Sequence, residues 1–377
     1  MPEGTDGALA APPAGRPSPL GSSHPSHRFA LPVRLVLIVV GLGLFVTALG
    51  LMKAGAQALV PALEGSIFTD GLASALGLGW LGACLVLSGS PVAASALTLL
   101  DGGAIDREQA FAMLTGSRLG ASFVVLAVGA IYTVRKSRRG DADPKAPLSI
   151  GILSFTMTAV AYLPGALIGL VVLQAGWLDG VHLAASPDVV SVTDSAFGWA
   201  VDGAKAVLPD WALFPLGVLV LLLAFKVVDE VLPSVGEESV GHRSSRWFST
   251  PWLMFALGCL VAFLTLSVSV ALTVLVPIVA SGRLRREDAL PYIAGANITT
   301  LADTLVAAIV LGNQDAVRVV LAEAGGVTVW TLVLLAFAYP QLRAFCLKVS
   351  DTVLASRPRL VGFVSCLFLV PLVLIAV

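Results

Sequence analysis

From residue 31 onward the chain alternates long apolar runs with short polar ones. Seven runs (31–52, 110–134, 148–178, 211–232, 290–312, 327–345 and 360–377) are close to or above the length that crosses ~30 Å of hydrocarbon at ~1.5 Å per residue. Each predicts a membrane-spanning α-helix. Two further apolar stretches, 72–100 and 251–280, carry a polar break instead: "VLSGSPVAAS" at 86–95 and "LTLSVSVALT" at 264–273.

The charges between the runs set the sides. Basic residues cluster in "RKSRRG" (135–140), in "GRLRRE" (282–287) and from Arg343 through Arg359, whereas 179–210 has almost no base and is expected to be an external loop. Positive clusters stay on the cytoplasmic side. If 72–100 and 251–280 each crossed once, the turn 101–109 would be cytoplasmic and "RKSRRG" external, against that rule. If each dips to mid-depth and returns, every basic cluster falls inside. Both stretches are therefore expected to be re-entrant helical hairpins.

The turn of such a hairpin frees backbone donors and acceptors, which are tolerated only inside protein or beside a wet cavity. Ser88, Gly89, Ser90 and Pro91 suit that turn: glycine allows the tight backbone, proline ends an arm, and hydroxyls satisfy freed groups or hold a ligand. From Pro91 to Leu100 is about 15 Å as helix, half the bilayer, so the tip is expected at mid-depth. The same count puts "TGSRLGAS" (115–122) at that level, where its small residues are expected to loosen the helix. In the later half "LSVS" (266–269) is expected to face "AGANITTLADT" (294–304).

The halves form a weak repeat. An offset of 179 aligns Ser88 with Ser267, Ser90 with Ser269, Gly103 with Gly282, Arg107 with Arg286, Glu108 with Glu287, Ala110 with Ala289 and Gly116 with Gly295, without a gap. Three crossings separate the two starts, so the second copy is expected to be inverted, an architecture associated with substrate sites at the repeat interface of secondary transporters. The expected fold is an all-α polytopic membrane protein built from an inverted repeat, each half carrying a re-entrant hairpin plus spanning helices. Its parts are a disordered cytoplasmic tail (1–27), a first repeat (28–176, hairpin 72–100), an external loop (177–210), a second repeat (211–312, hairpin 251–280) and C-terminal membrane helices (313–377).

Composition agrees and narrows the function. With 57% hydrophobic and 12% charged residues and a mean hydropathy of +0.91, the chain cannot present the charged surface of a soluble globule. The net charge of -1 offers no basic face for nucleic acid. Cys84, Cys259, Cys346 and Cys366 lie in apolar runs without metal-ligand spacing and read as small core residues, so no metal site or cofactor is expected. Residues 1–27, rich in Pro, Gly, Ala and Ser, have no compact apolar core of the signal-peptide kind. An intramembrane serine hydrolase needs a base beside its serine, and His24, His27, His182 and His242 all lie in the tail or loops. No GxxxxGK[ST] motif suggests ATP-driven pumping.

The segments "GLFVTALGLMKAGAQAL" (43–59), "LVLSGSPVAAS" and "LTGSRLGAS", and more closely "LSVSVALTVLVPIVASGRLRREDALPYIAGANITTLADT" (266–304), resemble the type II sodium/phosphate cotransporters and their bacterial relatives. That family repeats a span, a hairpin with Gln-Ser-Ser-Ser, and a span with Gly-Ala-Asn-Ile-Gly-Thr-Thr. The resemblance implies a sodium-coupled symporter of inorganic phosphate, not an enzyme, that works by alternating access with its motif positions binding phosphate and Na⁺. It departs at the glutamines, replaced by Leu87 and Leu266, at the middle serine, replaced by Gly89 and Val268, and at the first asparagine, replaced by Arg118.

Candidate substrate ligands are Ser88, Ser90, Arg118, Ser267 and Ser269, where hydroxyls and a guanidinium fork can hold phosphate oxygens. Candidate Na⁺ ligands are Asn297, Thr299, Thr300 and Asp303, clustered oxygens suited to a hard cation. Arg118 and Asp303 are the ionisable residues expected deep in the bilayer, where unpaired charge is costly and marks an ion path. The lost glutamines keep two alternatives open: a carrier of another anion with a different coupling ion, or a non-transporting scaffold or sensor. The expected setting is a plasma or inner membrane, crossed several times, with a cytoplasmic N-terminus.

Overall fold

The computed structural model describes residues 31–63, 71–139, 146–183, 187–231, 250–265, 268–280 and 284–377. Among them every regular element is an α-helix, and seven helical segments are long and apolar enough to cross a membrane by length and composition. The expected tail 1–27 and Ser267 lie outside the described residues, as does Gly282.

The first helix, α1 (Leu31–Leu63), is followed by two shorter ones, α2 (Leu72–Val86) and α3 (Ser90–Asp101), then by α4 (Arg107–Arg139) and α5 (Ala146–Gln174). α6 (Pro187–Val207) leads into α7 (Asp210–Val231). The second broken stretch is α8 (Pro251–Thr265), α9 (Val268–Thr273) and α10 (Leu275–Ala280), continued by α11 (Ala289–Thr299) and α12 (Leu301–Val310). The chain ends in α13 (Gln314–Phe337), α14 (Tyr339–Leu354) and α15 (Arg357–Ala376).

Small residues decide how the helices meet, as expected where lipid supplies no hydrophobic drive between them. α1 and α7 run antiparallel: a Cβ on Gly55 would lie 2.2 Å from the Phe214 nitrogen and one on Gly41 2.7 Å from Val228. A Cβ on Gly79 of α2 would meet the Met113 carbonyl of α4 at 2.0 Å, and one on Gly116 the Leu76 carbonyl at 2.0 Å. In the later half a Cβ on Gly258 of α8 would meet the Tyr292 carbonyl at 2.1 Å, and one on Gly295 of α11 the Phe255 carbonyl at 2.1 Å. Each of these four positions lies 179 residues beyond its counterpart. The repeat noticed as spaced letters is therefore also a repeat of helix-crossing geometry.

Two apolar cores occupy opposite ends of α4. One gathers Leu99, Ile105, Ala110, Leu173, Leu311 and Ala316 around the 101–107 turn. The other gathers Val125, Ile150, Leu284, Ala289 and Leu342 around the 284–288 turn. At the first end Asp101 is held by Lys53 (2.8 Å) and by Asn313 (2.9 Å), which ties α1, α3 and the start of α13 together.

Three expectations need correction. The last span but one is α13, not 327–345: Asn313 caps it by accepting from the Asp315 and Ala316 amides, and the helix stops at Ala338, just before Pro340. Residues 115–122 do not loosen α4, which is continuous; Thr115, Ser117 and Ser122 return their hydroxyls to the carbonyls of Phe111, Leu114 and Leu119. Finally, 177–210 is not simply a loop. It contains α6, whose Phe197 and Val201 sit against Gly43 and Gly50 of α1.

Candidate functional site

The first polar break is a tight turn. Leu87 closes α2 in the left-handed conformation (φ 57°), Ser88 and Gly89 form the bend, and Ser90 with Pro91 starts α3. A Cβ on Gly89 would lie 2.9 Å from the Ser117 carbonyl, so only glycine lets the tip seat against α4 one residue from Arg118. Ser88 and Ser90 are half-buried beside it. At the second break Ser269 falls in α9, and α9 packs on α4 while α3 packs on α12. Each return arm thus rests on a span of the other half.

The span after the second hairpin does break, at Thr300 between α11 and α12. Asn297, just before the break, is buried and held by α5: its amide donates to Thr158 (2.9 Å) and its carbonyl accepts from the Tyr162 hydroxyl (2.7 Å) and from Thr300 (2.8 Å). Thr299 lies on another face, about 200° round the helix from Asn297 at 3.6 residues per turn. Its hydroxyl donates to Gly295 (3.1 Å), beside Cys259 of α8, so it is not brought together with Asn297 and Thr300.

One turn beyond the break the two halves meet in charge. Arg118, with 2% of its side chain exposed, donates from Nη2 to Thr304 Oγ1 and lies 3.8 Å from Asp303 Oδ1. Thr304 in turn donates to Asp303 at 2.9 Å, so the pair is joined through a hydroxyl. Arg118 Nε and Nη1 and Asp303 Oδ2 have no protein partner, although buried donors and acceptors are nearly always paired. The free Nε–H and Nη1–H donors of the guanidinium, one on either side, can each take an oxygen of an oxyanion.

Sequence reasoning missed Glu323. It lies about 14 Å into α13, is fully buried, and shares the electrostatic surroundings of Arg118, Tyr162 and Asp303. The signal was available in "NQDAV" (313–317), a helix-start pattern of a capping asparagine and an acidic first turn, which places Glu323 inside a span. A separate cavity of about 420 Å³, lined by Lys53, Gln57, Asp202 and Lys205 among others, touches none of the predicted residues.

A polytopic helical membrane protein that buries charge between its halves has the features of a membrane transporter. Residues 220–370 match the profile of the Na⁺/Pi-cotransporter family, which supports that family for the chain and a transporter rather than an enzyme. The match takes in α11, α12 and α13, hence Asn297, Asp303 and Glu323. No curated protein and no solved structure matches the chain.

Proposed function

We propose that the chain is a sodium-coupled symporter of inorganic phosphate, working by alternating access between two inverted repeats, 28–176 and 211–312. The reading is carried by the constellation in which Arg118 of the first copy meets Asp303 and Thr304 of the second, beside the broken segment that holds Asn297 and Thr300. Arg118 supplies the fixed positive charge that takes over from the lost glutamines, with Ser88, Ser90, Ser267 and Ser269 completing the anion's partners at the two hairpin tips. Asn297, Thr300 and Asp303 supply oxygens to Na⁺; Thr299 contributes only if α11 rotates.

The recurrent glycine crossings at an offset of 179, the antiparallel run of α1 against α7, and the exchange of return arms all support opposed copies. The 101–107 turn is assigned to the outer face and the 284–288 turn to the cytoplasmic face. The test is uptake of labelled phosphate by the purified protein in liposomes, with and without an inward Na⁺ gradient. Uptake that ignores the gradient would overturn the coupling. Leu87 and Leu266 at the glutamine positions favour one other reading, a carrier of a different oxyanion, which competition by unlabelled anions would reveal.

A further inference from the structure

Glu323 is fully buried, and neither carboxylate oxygen has a protein hydrogen-bond partner. The surfaces around it explain why. On the α5 side the contact is a glycine crossing: a Cβ on Gly169 would lie 2.5 Å from the Ala322 carbonyl, and one on Gly326 2.3 Å from the Gly165 carbonyl. Backbones this close leave little room for oxygen ligands around a metal ion. The neighbouring Thr115 hydroxyl of α4 donates to Phe111 (3.0 Å), and the Tyr162 hydroxyl of α5 donates to Asn297 (2.7 Å).

The charged and titratable groups that face Glu323 are therefore Arg118 from α4 and Tyr162 from α5, while Asp303 of α12 reaches it through its pairing with Arg118. Of the other helices packed on α13, α3 carries only Asp101, held at its end by Lys53 and Asn313. α11 carries Tyr292, whose hydroxyl donates to Ala271, and the acids and bases of α14 lie beyond the far end of α13. One guanidinium thus serves two carboxylates. A carboxylate buried without a hydrogen-bond donor is costly to keep charged.

We propose that Glu323 is a proton-binding residue that controls whether Arg118 can hold an anion. It takes one proton from water, its charge goes from -1 to zero, and Arg118 with Asp303 is left balanced. Ionised, it competes for the free donors of Arg118 that the anion would use. Proton binding at Glu323 and anion binding at Arg118 favour each other, and the linkage is reciprocal. The anion half of this inference rests on the proposed transport reading; the proton half rests on the burial of Glu323 alone.

The test uses the purified full chain, wild type and Glu323→Gln, with two readouts. Infrared difference spectra between high and low pH should show the C=O stretch of a protonated carboxyl that Glu323→Gln removes. In liposomes, the KM for Na⁺-driven phosphate uptake is then followed against pH in both proteins. The titration of phosphate itself is common to both, so the ratio of wild-type to variant KM isolates Glu323, and it should rise by up to about tenfold per pH unit once Glu323 ionises. A ratio that stays flat with pH overturns the control of Arg118. No band lost in the variant overturns the proton site, whatever the uptake. If the band is lost but neither protein takes up phosphate, the transport reading fails and the proton site stands. Should Glu323→Gln not fold, Glu323→Asp must shift the band, and an unshifted band is equally decisive against the proposal.

Discussion

Replacing Arg118 with alanine removes the positive charge that Asp303 and Glu323 share. At 3.8 Å two unit charges in a site of effective dielectric about 20 attract by roughly 4 kcal/mol, in line with the ~3–5 kcal/mol lost when one partner of a buried pair is removed. Asp303→Asn is milder. The amide oxygen can still accept from Thr304, and Arg118 still faces Glu323, so the loss should be about 1–2 kcal/mol. Thermal unfolding in detergent should therefore rank wild type above Asp303→Asn and Asp303→Asn above Arg118→Ala. In liposomes Arg118→Ala should raise the KM for phosphate, whereas Asp303→Asn should chiefly shift the Na⁺ concentration needed for half-maximal uptake. The double variant is the critical sample. If it regains wild-type uptake while both singles are dead, the two residues are only a structural pair and the division into anion and cation roles is refuted.

The proposed sidedness predicts that single cysteines at Glu108 and Arg285, in a background without Cys84, Cys259, Cys346 and Cys366, react with an impermeant reagent from opposite faces; reaction from one face would sink the inverted arrangement. Ser90→Ala and Ser269→Ala should each weaken phosphate affinity with the melting temperature almost unchanged, whereas loss of folded yield with normal affinity would make these serines packing residues. Gly79→Ala and Gly258→Ala, whose new methyls would press on the Met113 and Tyr292 carbonyls, should lower stability by about 1–3 kcal/mol each. A loss in only one of them, measured by thermal unfolding, would mean that the two crossings are not equivalent in energy.

Much of this fold was legible because the solvent is lipid. Runs of apolar residues near twenty long have few alternatives to a spanning helix, and the polar breaks at 86–95 and 264–273 stood out against them. What escaped reading did so for physical reasons. The start of α13 was hidden because Arg318 and Glu323 interrupt its apolar run, and both are accommodated by local partners or deep burial rather than by water. Helix α6 was hidden because the aspartates, serines and threonines in its sequence look like turns, although Phe197 and Val201 pack it on α1. The glycines of α4 were taken as a weakness in the helix when they are the places where α2 approaches it. Arg118 and Asp303 could be ranked by depth alone, but a one-dimensional count could not show that Thr304 joins them or that Thr299 points elsewhere.

Arg118 of an unbroken α4 stands where the broken α11–α12 segment has Asn297. Two identical opposed copies would make the outward-open and inward-open forms equivalent by a two-fold rotation and so equal in energy, with neither preferred at rest. One guanidinium in place of one amide removes that degeneracy. On the proposed architecture the charge travels with the first copy only, so the two forms expose it to different surroundings and one becomes the resting form. The direction in which the cycle waits for its anion is then a property of a single substitution between two copies, and exchanging the residues at 118 and 297 should move the waiting point to the other side of the membrane.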